Sequence, residues 1–160
     1  MKRMLLNVTL SSVMLSLSYT AIANTKIACR EIDNEQVAAF FDKWNDSLKT
    51  GDASKVSENY LSDSVLLPTL SNKVRLTDAE RLDYFKHFLE KKPSGKIISR
   101  TIRTGCNKAI DSGIYTFTFS DHTEVKARYT FTYAWDGHEW KISSHHSSAM
   151  PETLSGVEAP

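Results

Sequence analysis

Glycine is scarce in this sequence, with six residues, and none of them belongs to a phosphate-binding motif. Dinucleotide-binding folds and P-loop enzymes need closely spaced glycines between a strand and a helix, because phosphates approach the backbone there. The chain also lacks the Gly-x-Ser-x-Gly turn in which hydrolases hold a nucleophilic serine. The sequence therefore predicts neither a nucleotide-binding protein nor a hydrolase of that type, and we expect no cofactor.

Long apolar runs are absent except at the N-terminus. Lys2 and Arg3 precede an apolar segment over 4–19, and an Ala-x-Ala cleavage site follows over 21–23. This pattern is typical of a secretory signal peptide, since the segment is short for a membrane span and interrupted by serines; an uncleaved N-terminal anchor is the alternative. We expect cleavage after residue 23, a periplasmic or secreted mature protein, and no membrane contact after cleavage.

Basic runs are absent too. The full chain has a formal net charge of +1, which becomes −1 when Lys2 and Arg3 leave with the signal peptide. Proteins that bind nucleic acid or anionic surfaces through charge carry a basic patch or run. Nucleic acid is therefore not an expected partner.

Cysteine is limited to Cys29 and Cys106. An even number of cysteines in an exported protein indicates one disulfide, which would tie the N-terminal segment to the middle of the chain. Closing so long a loop would contribute up to about 4 kcal/mol by the chain-entropy argument. Two buried thiols are the alternative.

Helical periodicity is confined to the first half of the mature chain. Apolar residues at helical spacing predict one helix over 33–50 and a short one over 53–60. A capping box formed by Thr77 and Glu80 begins a third helix. Between the second and third helices, the segment 64–70 is predicted to be an edge strand that a proline interrupts.

The second half shows the alternation typical of strands. The predicted strands cover 96–103, 113–120, 124–135 and 139–149. The turns between them are expected at 111–113, 120–122 and 136–137. This order predicts an α+β fold, with three N-terminal helices on one face of a curved, mainly antiparallel sheet that encloses a cavity. The domain would cover 24–152 and be followed by a frayed tail over 153–160.

The last predicted strand contains the adjacent His145 and His146 among four serines. Neighbouring residues of a strand point to opposite faces, so the two imidazoles cannot reach one metal ion without a bulge. A mononuclear site would need a second histidine or a carboxylate on the same face, and the strand offers only serines there. Neighbouring strands offer no obvious carboxylate to orient a histidine beside a serine nucleophile. We therefore predict neither a metal site nor a serine–histidine pair.

The strand 124–135 alternates between aromatic and polar residues, and either face could line a cavity. Arg128 on the polar face could bind a carboxylate or another anion bidentately, or it could be solvated. Arg100 and Arg103 on the preceding strand leave the same two alternatives open. Three aromatic residues fit either the core or the wall of a ligand site: Trp44, Tyr60 and Tyr84.

Several motifs recur together in one family: "LLPTLSN", "YFKHFL", "TIRTGCN", "ARYTFTYAW" and "HHSSAMPE". With them, the chain from Cys29 to Glu152 resembles the association (hub) domain of calcium/calmodulin-dependent protein kinase II. The resemblance is to a bacterial secreted branch within the nuclear transport factor 2-like, or SnoaL-like, superfamily. It implies a cone-shaped fold with a deep pocket and self-association into a homodimer or a larger ring. Kinase activity does not carry over, because the resemblance includes no kinase domain.

The hub's final strand carries a W-x-I-x-x-x-H-x-S-x-x-P pattern. The matching residues here are Trp140, Ile142, His146, Ser148 and Pro151. The resemblance therefore makes His146 the pocket residue and places His145 on the opposite face. Ser147 stands where the hub has a pocket-lining arginine, so Arg128 would supply the positive charge instead.

Two functional interpretations follow. The leading one is a non-catalytic, secreted oligomerising domain whose pocket binds a small molecule, with anions among the candidate ligands. The alternative is a cofactor-free SnoaL-like enzyme that transfers a proton in an isomerase or cyclase reaction, although some relatives are described as oxidoreductases. Its base would be His146 or His145, helped by Tyr84 or Arg128. A partner-binding module is a third interpretation, without a sequence mark of its own.

Overall fold

The computed structural model describes residues 28–69 and 71–151. The predicted signal peptide and the predicted tail over 153–160 lie outside these residues. The elements of the described part are α1 (Asn34–Lys49), α2 (Ala53–Ser57), β1 (Tyr60–Leu67), α3 (Asp78–Leu89), β2 (Ser94–Gly105), β3 (Lys108–Thr118), β4 (Glu124–Trp135) and β5 (Trp140–Ala149). Across these residues, no helix has the length and apolarity that a membrane crossing requires.

Local side chains set the ends of the two long helices. The Asp33 carboxylate accepts a hydrogen bond from the backbone N–H of Gln36, and the Gln36 side chain accepts one from the backbone N–H of Asp33. Thr77 and Glu80 form the predicted capping box of α3. Gly51 follows α1 with a φ of 69°, the left-handed conformation that glycine adopts without strain. The first and third helix predictions are confirmed.

The second helix is shorter than predicted. It ends at Ser57, and Tyr60 begins β1 instead of closing the helix. The strand predicted over 64–70 therefore starts earlier, and it ends at Leu67, before Pro68, which has no N–H for a ladder hydrogen bond. As the first residue of a strand, Tyr60 is buried with its ring 5.6 Å from that of Phe85.

The five strands form one open sheet in the order β1-β5-β4-β3-β2. The β1–β5 pair is parallel, and the other three pairs are antiparallel. Helix α1 covers one face, called here the inner face, with buried side chains that include Phe41 and Trp44. On β4 the aromatic residues Tyr129, Phe131 and Tyr133 are buried on this face. The predicted α+β fold is confirmed.

One predicted turn is wrong. Asp111, Ser112 and Gly113 lie within β3, and the β2–β3 turn falls at Cys106 and Asn107. Gly113 is required by the neighbouring strand and not by a turn. A Cβ atom at this position would lie 1.9 Å from the Ser99 carbonyl oxygen, so only glycine permits the close approach of the bulged β2 strand.

A bulge in β5 decides which of its side chains face the core. Thr132 of β4 pairs with Ser144, whereas the next residue, Tyr133, pairs with Ile142, so β5 contains one extra residue at Ser143. An extra residue reverses the alternation of a strand, because its side-chain period is two. Ile142 and His145 are consequently both buried, although regular alternation would place residues three positions apart on opposite faces.

The two cysteines form the predicted disulfide, with Cys29 and Cys106 Cα atoms 5.0 Å apart. The same contact is supported by Asn107, whose side-chain oxygen accepts a hydrogen bond of 2.7 Å from the backbone N–H of Arg30. The guanidinium of Arg30 lies 5.1 Å from the ring centre of Trp135. The N-terminal segment is thereby attached to the β2–β3 turn and to the end of β4.

Candidate functional site

The inner face carries two groups of polar side chains, one on each side of Phe131. The strand register places Asp111, Phe131 and His145 in one row across β3, β4 and β5. We call the first group the Asp111 cluster; it consists of Arg100, Asp111 and Tyr129. We call the second group the His145 cluster; it consists of Trp44, Tyr60, Thr69, Arg75, Tyr115, His145 and Ser147.

His145 is held by aromatic rings and by one hydrogen bond. Its Nδ1 lies 2.9 Å from the Tyr60 hydroxyl oxygen, which accepts a 3.0 Å hydrogen bond from Trp44 Nε1. The imidazole stacks on Phe131 with ring centres 4.0 Å apart and is only 4% exposed. Burial, with a smaller contribution from His146, lowers the pKa of His145 to about 3, so the ring is neutral at physiological pH. Its Nε2 atom is buried without a hydrogen-bond partner in the part of the chain that is described.

Hydroxyl groups extend the cluster along β5. Ser147, two residues after His145 and buried on the same face, accepts a hydrogen bond of 2.6 Å from the Tyr115 hydroxyl. The Thr69 hydroxyl also hydrogen-bonds to Ser147. Burial raises the pKa of Tyr115, so its phenol stays protonated and serves as a neutral donor.

Arg75 supplies the positive charge of this cluster. Its backbone forms an isolated antiparallel bridge with Leu66, and Leu66 pairs with His145. Residues paired across strands share a face of the sheet, so Arg75 and His145 flank the buried Leu66 on the inner side, with Cα atoms about 10 Å apart. Nε and Nη1 of Arg75 are buried, and neither has a hydrogen-bond partner among residues 28–69 and 71–151. Within these ranges no carboxylate forms an ion pair with it either.

Tyr84 of α3 lies beside this charge, with its ring centre 5.8 Å from the Arg75 guanidinium. Burial raises its pKa to about 12, despite the opposing effect of Arg75. It is therefore a neutral phenol at physiological pH.

Arg81 of α3 is fully buried next to Tyr60. Its guanidinium donates hydrogen bonds to the backbone carbonyls of Leu61, Ser62 and Ser64, at 3.1, 3.0 and 2.9 Å. It lies 5.9 Å from the Tyr60 ring centre. These contacts hold the irregular first half of β1, where the parallel register with β5 shifts, and thereby fix the position of Tyr60.

The Asp111 cluster balances its own charges, although Nη2 of Arg100 and Oδ2 of Asp111 meet as an ion pair without hydrogen-bond geometry. Asp111 is fully buried, lies 2.9 Å from Nη2 of Arg100, and accepts a 2.9 Å hydrogen bond from the Tyr129 hydroxyl. Burial raises the pKa of Asp111, against the opposing effects of Tyr129 and Arg100. The cluster therefore contains a charge and its counter-charge, and both are used within the fold.

The structure brings only some of the predicted site residues together. Trp44, Tyr60 and Tyr84 all lie on the inner side, and the first two form the hydrogen-bonded chain to His145. His145 itself replaces His146 as the inward-facing histidine. His146 is exposed, contrary to the family-pattern expectation, because the bulge at Ser143 reverses the alternation of β5.

The predicted arginines also lie elsewhere. Arg128 is exposed on the outer face, where its Nη2 donates to the Ala149 carbonyl at 3.3 Å, so it does not supply the charge of the inner face. Arg103 is exposed as well and donates to the carbonyl of Ile102. Both follow the regular alternation of their strands, which places them opposite the aromatic side.

Sequence reasoning misses Arg75, Tyr115 and Asp111, and it notes Ser147 only as the residue that replaces a pocket-lining arginine of the hub. Arg75 lies in an irregular segment before the α3 cap, where no periodicity indicates a direction. Ser147 reaches the inner face only through the bulge, which the sequence pattern does not reveal. Asp111 belongs to an Asp-Ser-Gly segment, a common turn sequence that conceals its place within a strand.

The described residues contain no group of three or more histidines, cysteines, aspartates and glutamates that could hold a metal ion. Two surface cavities of about 640 and 580 Å³ lie away from the His145 cluster. The larger one is lined by the N-terminal segment, the start of α1 and Trp140. Around His145 the inner face is filled by aromatic side chains, and neither of these two cavities is lined by a residue of the His145 cluster.

Comparison with protein families identifies the fold and its relatives. Residues 33–151 match the family model of the calcium/calmodulin dependent protein kinase II association domain. The chain belongs to this family. A solved protein of Xanthomonas campestris, described as an association domain of the same kind, is 47% identical, with a TM-score of 0.72 over 76% of this chain and 90% of that chain.

More distant solved structures share the fold of this association domain. A nuclear transport factor 2-like protein of Pseudomonas putida is 12% identical, with a TM-score of 0.66 over 78% of this chain and 92% of that chain. A cyanobacterial iota-carbonic anhydrase complexed with bicarbonate is 20% identical, with a TM-score of 0.69 over 80% of this chain and 98% of that chain. The comparison with curated proteins gave no match.

Proposed function

We propose that this association domain binds a small oxyanion of the bicarbonate class on its inner face, with Arg75, His145 and Ser147 as the binding residues. The observation that carries the proposal is the set of buried Arg75 donors that have no acceptor in the described part of the chain. Leaving a buried polar group unpaired costs about 1–3 kcal/mol, and more for a charged group. A bound anion would remove this cost and neutralise the guanidinium.

Charge and size both favour such a ligand. His145 is neutral, and the phenols of Tyr84 and Tyr115 keep their protons, so Arg75 is the charged member of the cluster. Guanidinium groups bind planar oxyanions bidentately, with hydrogen bonds stronger than those between neutral groups. The aromatic packing around His145 restricts the ligand to a few atoms. Bicarbonate meets these conditions, and the fold shared with a bicarbonate-bound carbonic anhydrase supports it.

The experiment is a titration of the mature protein with sodium bicarbonate, sodium formate and sodium nitrate. Calorimetry measures binding, and thermal unfolding measures the stabilisation by each ligand. A ligand at a hundredfold its dissociation constant raises the free energy of unfolding by about 2.7 kcal/mol. Arg75→Gln should weaken binding at least about tenfold, because it removes the charge. Arg128→Gln, on the outer face, is the matched control and should bind like the wild type. Absence of saturable binding in the wild type, or equal loss in both variants, would refute the proposal.

Reversible hydration of carbon dioxide is a second candidate function, favoured by the same carbonic anhydrase comparison. In this reaction the oxygen of a water attacks the carbon of CO₂, a water O–H bond breaks, and bicarbonate forms. The hydroxyls of Tyr115 and Ser147 would orient the reactants, and Arg75 would stabilise the developing negative charge. With a pKa of about 3, His145 is a poor proton acceptor at neutral pH, so the proton would pass to solvent or buffer.

A stopped-flow assay of CO₂ hydration with a pH indicator tests this second candidate. The wild type and Arg128→Gln should accelerate hydration, whereas Arg75→Gln should lose most of the acceleration. A wild-type rate equal to that of buffer alone would reject catalysis and leave the binding proposal to its own test.

We further propose that the domain self-associates, as the name of its family suggests. Exposed apolar side chains that are available for such contacts include Ile98, Ile110 and Val125, each at least 39% exposed. Native mass spectrometry of the mature protein would give the stoichiometry together with any retained ligand. A monomer at micromolar concentration would contradict this proposal.

We also propose that the protein is exported to the periplasm or the exterior. The disulfide between Cys29 and Cys106 is compatible with an oxidising compartment. Mass analysis of the protein recovered from outside the cytoplasm should give a chain that begins near Asn24. A full-length chain starting at Met1 would contradict cleavage.

A further inference from the structure

Trp44, Tyr60 and His145 form a buried chain of hydrogen bonds whose direction can be assigned. The Trp44 Nε1 to Tyr60 Oη distance is 3.0 Å, and the Tyr60 Oη to His145 Nδ1 distance is 2.9 Å. All three side chains are at most 4% exposed. Within residues 28–69 and 71–151 these are the hydrogen bonds that the Tyr60 hydroxyl makes.

The direction follows from the first member of the chain. An indole N–H can only donate, so the Tyr60 oxygen must accept from Trp44. The single Tyr60 proton is then free to point at His145 Nδ1, which accepts it. In the opposite arrangement Nδ1 would donate to Tyr60, and the Tyr60 proton would be buried without an acceptor, which is unfavourable.

We infer that Trp44 and Tyr60 are positioning residues that hold His145 as the neutral tautomer with hydrogen on Nε2, so that the His145 cluster offers its ligand a donor at that atom. This inference rests on the proposed function for the identity of the ligand. It adds that the ligand atom facing Nε2 must be an acceptor, as every oxygen of nitrate is.

The ring surroundings keep this arrangement in place. His145 stacks on Phe131 at 4.0 Å and meets Trp44 edge-on at 5.3 Å between ring centres. A 180° turn of the ring about χ2 would put Cδ2 where Nδ1 lies and break the Tyr60 hydrogen bond. Nε2 therefore stays directed away from Tyr60 and remains the free position of the imidazole among the described residues.

The test measures the nitrogen resonances of the histidines in the ligand-free mature protein, labelled with ¹⁵N-histidine. His145 should show an unprotonated, hydrogen-bonded Nδ1 and a protonated Nε2 at neutral pH. In Tyr60→Phe, the Nδ1 resonance should move as its hydrogen bond is lost. Tyr84→Phe is the matched control, since it removes another buried phenol that makes no hydrogen bond to His145 in the described residues, and should leave both resonances in place.

A protonated Nδ1 in the wild type would overturn the inference, as would an Nδ1 resonance unaffected by Tyr60→Phe. The wild-type spectrum alone decides the tautomer if the variant does not fold. These measurements need no ligand, so the tautomer of His145 is decided by the spectra even if bicarbonate does not bind. If the proposed function holds, Tyr60→Phe should also weaken nitrate binding about threefold to tenfold, with Arg128→Gln on the outer face as the control.

Discussion

The two polar clusters of the inner face lie on either side of Phe131, and they differ in whether their charged groups have partners within the fold. In the Asp111 cluster, the charge of Arg100 meets a carboxylate 2.9 Å away, and Tyr129 donates to the same carboxylate. In the His145 cluster, the buried donors of Arg75 and Nε2 of His145 have no partner in the described chain. The difference is the counter-charge: Arg100 has a carboxylate within the fold, whereas Arg75 has none among the described residues, and a buried charged group without a partner costs stability unless a ligand completes it.

We expect the largest loss of stability when the ion pair of the Asp111 cluster is broken. Asp111→Asn removes the negative charge and leaves Arg100 without its counter-ion. Removing one partner of a buried pair costs roughly 3–5 kcal/mol, and because the Arg100 side chain is 23% exposed we expect the lower end, about 3 kcal/mol. Denaturant unfolding of the mature protein measures the change.

The control for this variant is Asp46→Asn, which breaks the exposed pair of Asp46 with Lys49 on α1. Exposed pairs contribute little, so a loss of at most about 0.5 kcal/mol is expected. Equal effects of the two substitutions would mean that the Asp111 cluster does not support the fold.

Acid should act mainly on the His145 cluster. The pKa of His145 is about 3 in the folded protein, whereas that of an exposed histidine is 6.5, so the unfolded chain binds the proton first as pH falls. The stability that depends on a neutral His145 is therefore complete above about pH 6.5 and declines below it. The expected slope is at most about 1.4 kcal/mol per pH unit.

Denaturant unfolding between about pH 7.5 and pH 5 tests this dependence. His145→Gln should flatten the profile, because it removes the titrating group, whereas His146→Gln on the exposed side should keep the wild-type slope. A profile that is unchanged in His145→Gln would show that other groups cause the decline.

A matched pair of tyrosine substitutions compares the two clusters directly. Tyr129→Phe removes a hydrogen bond to a carboxylate and should cost about 2 kcal/mol, whereas Tyr115→Phe removes one to the Ser147 hydroxyl and should cost about 1 kcal/mol. Both rings stay in place, so thermal unfolding reports the hydroxyls alone. The reverse order would show that the carboxylate contact is not the stronger one.

The smallest effects are expected on the outer face. His146→Ala and Arg128→Ala alter exposed side chains and should change the free energy of unfolding by at most about 0.5 kcal/mol in dilute protein. A larger loss that increased with protein concentration would indicate that another copy covers this face. Unfolding at two concentrations separates the two outcomes.

Local signals are sufficient to predict much of the fold. The capping box of Thr77 and Glu80 depends on residues close in sequence, and this prediction is confirmed. The disulfide prediction rests on the even number of cysteines together with the expectation of export. The Asp-Ser-Gly turn prediction fails because Gly113 is required by a neighbouring strand, at Ser99, which no local pattern reveals.

The candidate site is less predictable. Trp44 and Tyr60 are recognisable as aromatic candidates, but the chain of hydrogen bonds to His145 joins α1, β1 and β5. Arg75 approaches the site only through its bridge with Leu66. These contacts link distant parts of the chain, and periodicity describes only single elements.

By itself, the sequence determined that the last segment is a strand and that one histidine of His145 and His146 faces inward. The tertiary structure decided which one, through the extra residue at Ser143. Because side chains alternate with a period of two, this single residue exchanges the inner and outer faces for the rest of β5. It directs His145 and Ser147 towards the buried Tyr60 and Tyr115 hydroxyls, and leaves His146 exposed.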